Sequence, residues 1–195
     1  MNLPNKLTVI RILLVPIMVA TLLIDFPFHY LTSGLLFGAA ALTDFFDGNI
    51  ARKNNLITNF GKFADPIADK ILVISCLVCF QELELCNPII ILIVLFREFA
   101  ITSIRLSSAA QGNVVAANIW GKLKTVTQMG AIVGVFALQF ALEIISLVNI
   151  DKGLYSSLEY IFALIGEILL WISTVFVIIS GIKYVLDNKD AISDM

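Results

Sequence analysis

The sequence predicts an all-α, polytopic membrane protein, with six transmembrane helices in a single domain over residues 1–195 and both termini cytoplasmic. Three observations carry that prediction. Of 195 residues, 59% are apolar and 14% charged, with a mean hydropathy of +0.95, whereas soluble domains are about 45–50% apolar and roughly a quarter charged. Apolar stretches of bilayer-crossing length, about 20 residues, recur along the whole chain. Lys and Arg gather on one side of those stretches, as they do on the cytoplasmic face of membrane proteins. A formal net charge of −2 provides no basic face, so no nucleic-acid partner is expected.

The first span covers about residues 7–25 and ends at Asp25-Phe26-Pro27. Lys6 and Arg11 ahead of an apolar run resemble a secretory signal, but no small-residue cleavage site follows and the segment reads as helix one. The second span, about 31–52, contains Gly38-Ala39-Ala40-Ala41, which permits close helix packing or a lipid groove, and packing is the reading taken. Lys53-Asn54-Asn55 ends it. Spans three to six fall at about 61–83, 88–108, 121–145 and 157–186, separated by Asn87-Pro88, Gln111-Gly112-Asn113 and the stretch from Asn149 to Gly153. These breaks carry turn chemistry. Cys76, Cys79 and Cys86 are odd in number and two lie in an apolar run, so they read as small core hydrophobes rather than a disulfide or zinc site.

Orientation follows from the basic residues. With both ends inside, Lys6, Arg11, Arg52, Lys53, Lys62, Lys122, Lys124, Lys183 and Lys189 lie at inner ends and loops, and Arg105, Lys70 and Arg97 in inner halves of helices. Of the 13 Lys and Arg, only Lys152 falls in an outer loop. Asp25, Glu82, Glu84, Asp151 and Glu159 lie near the outer side, as does the only histidine, His29, which reads as structural or interfacial.

Charged groups at membrane depth cost about 3 kcal/mol each on insertion scales, so they face cavities and serve a function. Asp44, Asp47, Gly48 and Ala51 stand at i, i+3, i+4 and i+7, one face of the second helix. Gly61, Asp65 and Asp69 stand at i, i+4 and i+8 on the third. The short loop from Lys53 to Phe60 predicts that the two helices are antiparallel neighbours, bringing four carboxylates together near the cytoplasmic interface. Like charges so close require protons or divalent cations to neutralise them. All-oxygen ligation favours Mg2+ or Mn2+, and no His or Cys on these faces suits zinc. Mg2+ takes few carboxylates and completes its shell with substrate phosphates, so a diphosphate is the natural third party. Gly48 and Ala51 leave room for a ligand at the backbone, and Arg52 can pair with a phosphate.

Asp44-x-x-Asp47-Gly48-x-x-Ala51-Arg52, eight residues, then Gly61-x-x-x-Asp65-x-x-x-Asp69 resembles the full signature of the CDP-alcohol phosphatidyltransferase family. The opening Pro4-Asn5-x-Leu7-Thr8-x-x-Arg11 resembles that family's N-terminal amphipathic segment. Arg97-Glu98-Phe99 to Arg105 and Gly121-Lys122-x-Lys124-Thr125 resemble its bacterial phosphatidylglycerophosphate synthase branch. The likeness runs from about residue 2 to 130 and thins to hydrophobicity alone in the last third, where no chemistry is assigned.

The resemblance implies a reaction: CDP-diacylglycerol and sn-glycerol 3-phosphate give phosphatidylglycerophosphate and CMP, at the cytoplasmic side of a bacterial cell membrane. It implies metal binding, by two ions of Mg2+ or Mn2+, at Asp44, Asp47 and Asp65, shared by Asp69, which is the general base. It places the CDP moiety on Asp44, Gly48, Ala51 and Arg52, and it implies a homodimer among membrane lipids. A dianionic acceptor phosphate needs cations, for which Arg105, Lys122 and Lys124 are placed, with Arg97 deeper in its helix. Lys122 and Lys124 point to different sides of a helix, and Lys122 is preferred. Arg97 has pairing with Glu98 as its alternative, and Lys70 either tunes Asp69 or snorkels. Serine lacks a phosphate, which leaves inositol phosphate and phosphatidylglycerol as alternative acceptors within the family. Outside it stand a divalent-cation transporter, which would want acids at the midplane and interrupted helices in two related halves, and an inactive scaffold.

Overall fold

The computed structural model describes residues 2–53, 58–110, 119–148 and 150–187, with the side chains of residues 3, 44–53, 59, 60, 62, 63, 109 and 110 outside that description. The described residues form six helices and no strand: α1 (Leu3–Leu23), α2 (His29–Lys53), α3 (Asn59–Glu82), α4 (Pro88–Ala110), α5 (Ile119–Ser146) and α6 (Lys152–Asp187). Each expected span overlaps one helix, and only the first and third run past its end, by two residues and one. The expected breaks at 54–55, 111–113 and 149 lie outside the described residues.

Local chemistry sets the helix ends. Pro4 sits in the first turn of α1, where a missing N–H costs nothing. Thr58 caps α3 by accepting from the Gly61 N–H at 3.0 Å. The Asn87 side chain accepts from the Ile89 N–H at 3.0 Å at the start of α4, and Asp151 Oδ2 accepts from the Gly153 N–H at 3.0 Å at the start of α6. The turns before α2 and after α3 pass through Phe28 (φ 63°) and Glu84 (φ 59°), both in the left-handed region.

The segments Pro4–Leu23, Ile119–Ser146 and Lys152–Asp187 are long and apolar enough to cross a membrane. Among the described residues α2, α3 and α4 are long enough but less apolar, because they carry the charges: Arg97, Glu98 and Arg105 on α4, and Lys62, Asp65, Asp69 and Lys70 on α3.

One expectation takes a different form. Among the described residues no separate amphipathic element precedes the first long helix. α1 runs unbroken from Leu3, and its polar side chains Asn5, Thr8 and Arg11 are buried against protein. α2 and α3 touch, as expected of neighbours, and among the described residues α1 packs against both more extensively than they pack against each other. The remaining contacts join α5 to α6 and α2, and α4 to α6 and, less, to α3. Phe136 of α5 centres the core, with ring centroids 5.0 Å from Phe80 of α3 and 6.0 Å from Phe37 of α2. A Cβ built on Gly34 would stand 3.2 Å from Phe136 Cβ, so α2 and α5 approach closely there. The expected small-residue run contributes Ala40 to the core, whereas Gly38 faces open space. Cys76, Cys79 and Cys86 are buried free thiols, as expected.

Candidate active site

Asp65 and Asp69 lie one turn apart on α3, and both are met by side chains from α1. The Thr8 hydroxyl lies 2.6 Å from Asp65 Oδ1 and 3.1 Å from the Pro4 carbonyl, and its single hydrogen goes to the closer, charged oxygen. Arg11, fully buried, brings Nη1 to 3.5 Å from Asp69 Oδ1, an ion pair rather than a tight hydrogen bond. Its Nε donates to Thr43 Oγ1 at 3.3 Å, on α2 one residue before Asp44. One turn earlier, the Thr58 hydroxyl bonds Asn5 Oδ1 at 2.8 Å. Gly61 is the small residue this junction needs. A Cβ there would meet Asn5 Oδ1 and Thr58 Oγ1 at 3.3 Å and Asp65 Oδ2 at 3.6 Å.

Asp44, Asp47, Gly48, Ala51 and Arg52 lie on α2 by backbone, and their side chains are outside the described residues. Of the acid quartet only Asp65 and Asp69 have described side chains, and among the described residues no three His, Cys, Asp or Glu gather. The two carboxylates are hard oxygen donors reachable from the same side of α3, a donor set that suits Mg2+ or Mn2+.

The four basic residues expected around an acceptor phosphate divide into two groups. Arg97 Nη1 and Lys124 Nζ both donate to Glu98 Oε1, each at 2.8 Å. Arg97 Nη2 also donates to Ser180 Oγ on α6 at 2.5 Å, while its Nε is buried without a partner among the described residues. Lys124 thus turns inward on α5, and Lys122 turns outward, exposed and without a polar contact among the described residues. Arg105 is exposed, with its guanidinium carbon 5.5 Å from the Tyr184 ring centroid and Nε 3.4 Å from the Tyr184 hydroxyl. Lys70 bonds the Thr102 hydroxyl on α4, so it is anchored rather than snorkelling.

Sequence reasoning missed Glu98 as the shared counter-ion, although it names the Arg97–Glu98 pair, and it expected α6 as a span without assigning it any chemistry. Ser180 and Tyr184, one turn apart in the stretch assigned no chemistry, receive Arg97 and Arg105. A polar pair at i, i+4 in an otherwise apolar helix is the signal that marks them. His29 is structural, as expected, with Nδ1 2.9 Å from Glu143 Oε1 on α5.

A family model for CDP-alcohol phosphatidyltransferase matches residues 1–179. The chain is 36% identical over 203 residues to the CDP-diacylglycerol–glycerol-3-phosphate 3-phosphatidyltransferase of Bacillus subtilis, covering 98% of this chain and 97% of that protein. To the protein of the same name from Rickettsia bellii it is 40% identical over 183 residues, 94% of this chain and 93% of that one. A cardiolipin synthase (CMP-forming) of Oryza sativa subsp. japonica is 37% identical over 146 residues, 68% of this chain and 44% of that protein. Near-complete overlap with these bacterial enzymes, together with a family match from the first residue through most of α6, places the chain in the CDP-alcohol phosphatidyltransferase family.

Proposed function

We propose that this protein transfers the phosphatidyl group of CDP-diacylglycerol to sn-glycerol 3-phosphate, forming phosphatidylglycerophosphate and CMP. The observation that supports it best is the end-to-end likeness to bacterial proteins named for that reaction. Asp44, Asp47, Asp65 and Asp69 would hold divalent cations, two ions of Mg2+ or Mn2+, which when bound offset charge on the diphosphate and on departing CMP.

The chain's own groups do the rest. Asp69 takes the proton of the acceptor's primary hydroxyl, a poor nucleophile until then. That oxygen attacks the phosphorus carrying the diacylglycerol, and the bond from that phosphorus to the bridging oxygen breaks. CMP leaves with the electron pair, with no covalent enzyme intermediate. Gly48 and Ala51 give the CDP moiety access to the backbone of α2, and Arg52 pairs with its phosphate. Arg105 and Lys122 receive the acceptor phosphate, with Lys124 and Arg97 behind them on Glu98.

All six helices cross the membrane in one domain over residues 1–195, as a homodimer, with both termini and the site facing the cytoplasm. The basic-residue asymmetry supports this orientation. Phosphatidylglycerol is the second acceptor to test, because of the cardiolipin synthase likeness.

The test is CMP release by purified protein in detergent with CDP-diacylglycerol and Mg2+ or Mn2+. Glycerol 3-phosphate, phosphatidylglycerol, inositol phosphate and serine are offered separately. Release with glycerol 3-phosphate alone, abolished by Asp69→Asn or a chelator, supports the reading. Release with another acceptor overturns the substrate, and no release from folded, metal-supplied protein overturns the transferase and favours the cation transporter.

A further inference from the structure

The helices that carry the acids are held together by a third. Among the described residues α1 packs on both α2 and α3. From Asn5 on, the side chains it buries over its first half, Asn5, Thr8 and Arg11, are polar, before Val15, Met18 and Leu22 continue the buried face. The three polar side chains match α3 step by step: Asn5 against Thr58 and Gly61, Thr8 against Asp65, and Arg11 against Asp69. Steps of three on α1 and four on α3 fall about 3 Å out of register by the third contact. The long reach of an arginine covers that lag. The same Arg11 side chain bonds Thr43 on α2, next to Asp44, so one buried cation touches both acid-bearing helices.

We propose that Asn5, Thr8 and Arg11 form a positioning stripe that fixes the Asp65 and Asp69 carboxylates, and through Thr43 the acidic turn of α2, for binding a divalent cation and its diphosphate. This rests on reading those aspartates as the metal-binding group. Thr8 occupies Asp65 Oδ1, which leaves Oδ2 for a ligand beside Gly61. Fixing a carboxylate by a hydrogen bond to its second oxygen is how supporting residues set ligand orientation, and losing such a partner typically costs about 10–100-fold in metal affinity or activity.

The experiment uses the full chain in detergent, with Mn2+ affinity read by electron paramagnetic resonance, CMP release read as kcat and KM, and thermal melting of each variant. Thr8→Val is expected to weaken Mn2+ binding and lower kcat by about 10-fold or more, with the KM for glycerol 3-phosphate within about twofold. Thr8→Ser restores both, and Arg11→Lys, which keeps the charge and loses the fork, weakens Mn2+ binding. If Thr8→Val loses its melting transition, Thr8→Ala takes its place.

Wild-type Mn2+ affinity in a well-melting Thr8→Val overturns the proposal, and so does a Thr8→Ser variant as impaired as Thr8→Val. Should the wild type bind Mn2+ and release no CMP with any acceptor, the transferase reading falls, and a Mn2+ loss in Thr8→Val still upholds the stripe.

Discussion

Glu98 accepts two cations on a single oxygen, and its side chain is 13% exposed, so its replacement leaves two part-buried cations uncompensated. Removing one partner of a buried ion pair typically costs about 3–5 kcal/mol. Glu98→Gln should lower the melting temperature sharply, and Lys124→Met in the same background should recover part of the loss by removing one orphaned cation. Arg105 makes the opposite prediction. It is exposed, and its described contacts are to Tyr184, so Arg105→Ala should leave melting nearly unchanged. If Arg105 holds the acceptor phosphate, the lost charge-assisted bond, about 1.5–3 kcal/mol, raises the KM for glycerol 3-phosphate by roughly 10–100-fold. Burial, with Glu167 adding, pushes the Cys86 thiol up to about 12, so at pH 8 it stays protonated and should react with disulfide reagents only on unfolding. At this scale Asp65 and Asp69 are legible from sequence because their four-residue spacing is itself the signal. Arg11 and Thr8 are not, since an arginine near the start of a membrane helix is accounted for by the cytoplasmic charge bias before any partner is sought.

Between helices the informative residues are glycines, and here the sequence places the contact only in part: the expected run packs through Ala40 and Ala41, but its glycine does not. Gly38-Ala39-Ala40-Ala41 looks like the packing motif, yet a Cβ on Gly38 meets nothing within 4 Å, while one on Gly34 meets Phe136 Cβ and Cγ at 3.2 Å. Phe136 has little freedom to retreat, because Phe37 and Phe80 hold its ring from either side. Gly34→Ala should therefore destabilise by about 1–3 kcal/mol, the usual cost of overpacking. Gly38→Ala should be neutral or stabilising by about 0.5–1 kcal/mol, the helix cost of glycine relative to alanine. Comparing the two melting curves checks both. Composition marks both glycines as small and cannot tell which of them meets a neighbour; that depends on where α5 crosses α2. The expected α2–α3 pairing is incomplete for the same reason. A short connection makes two helices neighbours, but it does not exclude a third from packing on both, as α1 does here.

For the whole molecule, helix number was legible because apolar length writes it directly, and each expected stretch overlaps one helix, although α1 and α6 begin four and five residues earlier than expected. Membrane crossing is less directly written: α1, α5 and α6 qualify by apolar length, and the helices that fall short carry the acids of the motif and two of the four expected acceptor cations, Arg97 and Arg105. Function lowers the hydropathy of the helices that house it, since each carboxylate or guanidinium brought to the site replaces an apolar residue. The proposed topology therefore rests on charge distribution. It predicts that Lys152, the first residue of α6, faces outside, whereas Lys122, early in α5, faces the cytoplasm. With the three native cysteines buried, single cysteines at these positions can be labelled in intact cells by a membrane-impermeant maleimide. Lys152→Cys should label at once, and Lys122→Cys only after permeabilisation. Labelling of both from outside would mean that an even number of crossings lies between them and would overturn the single crossing by α5. The reverse pattern would invert the protein and put the acceptor site where no cytoplasmic glycerol 3-phosphate reaches it.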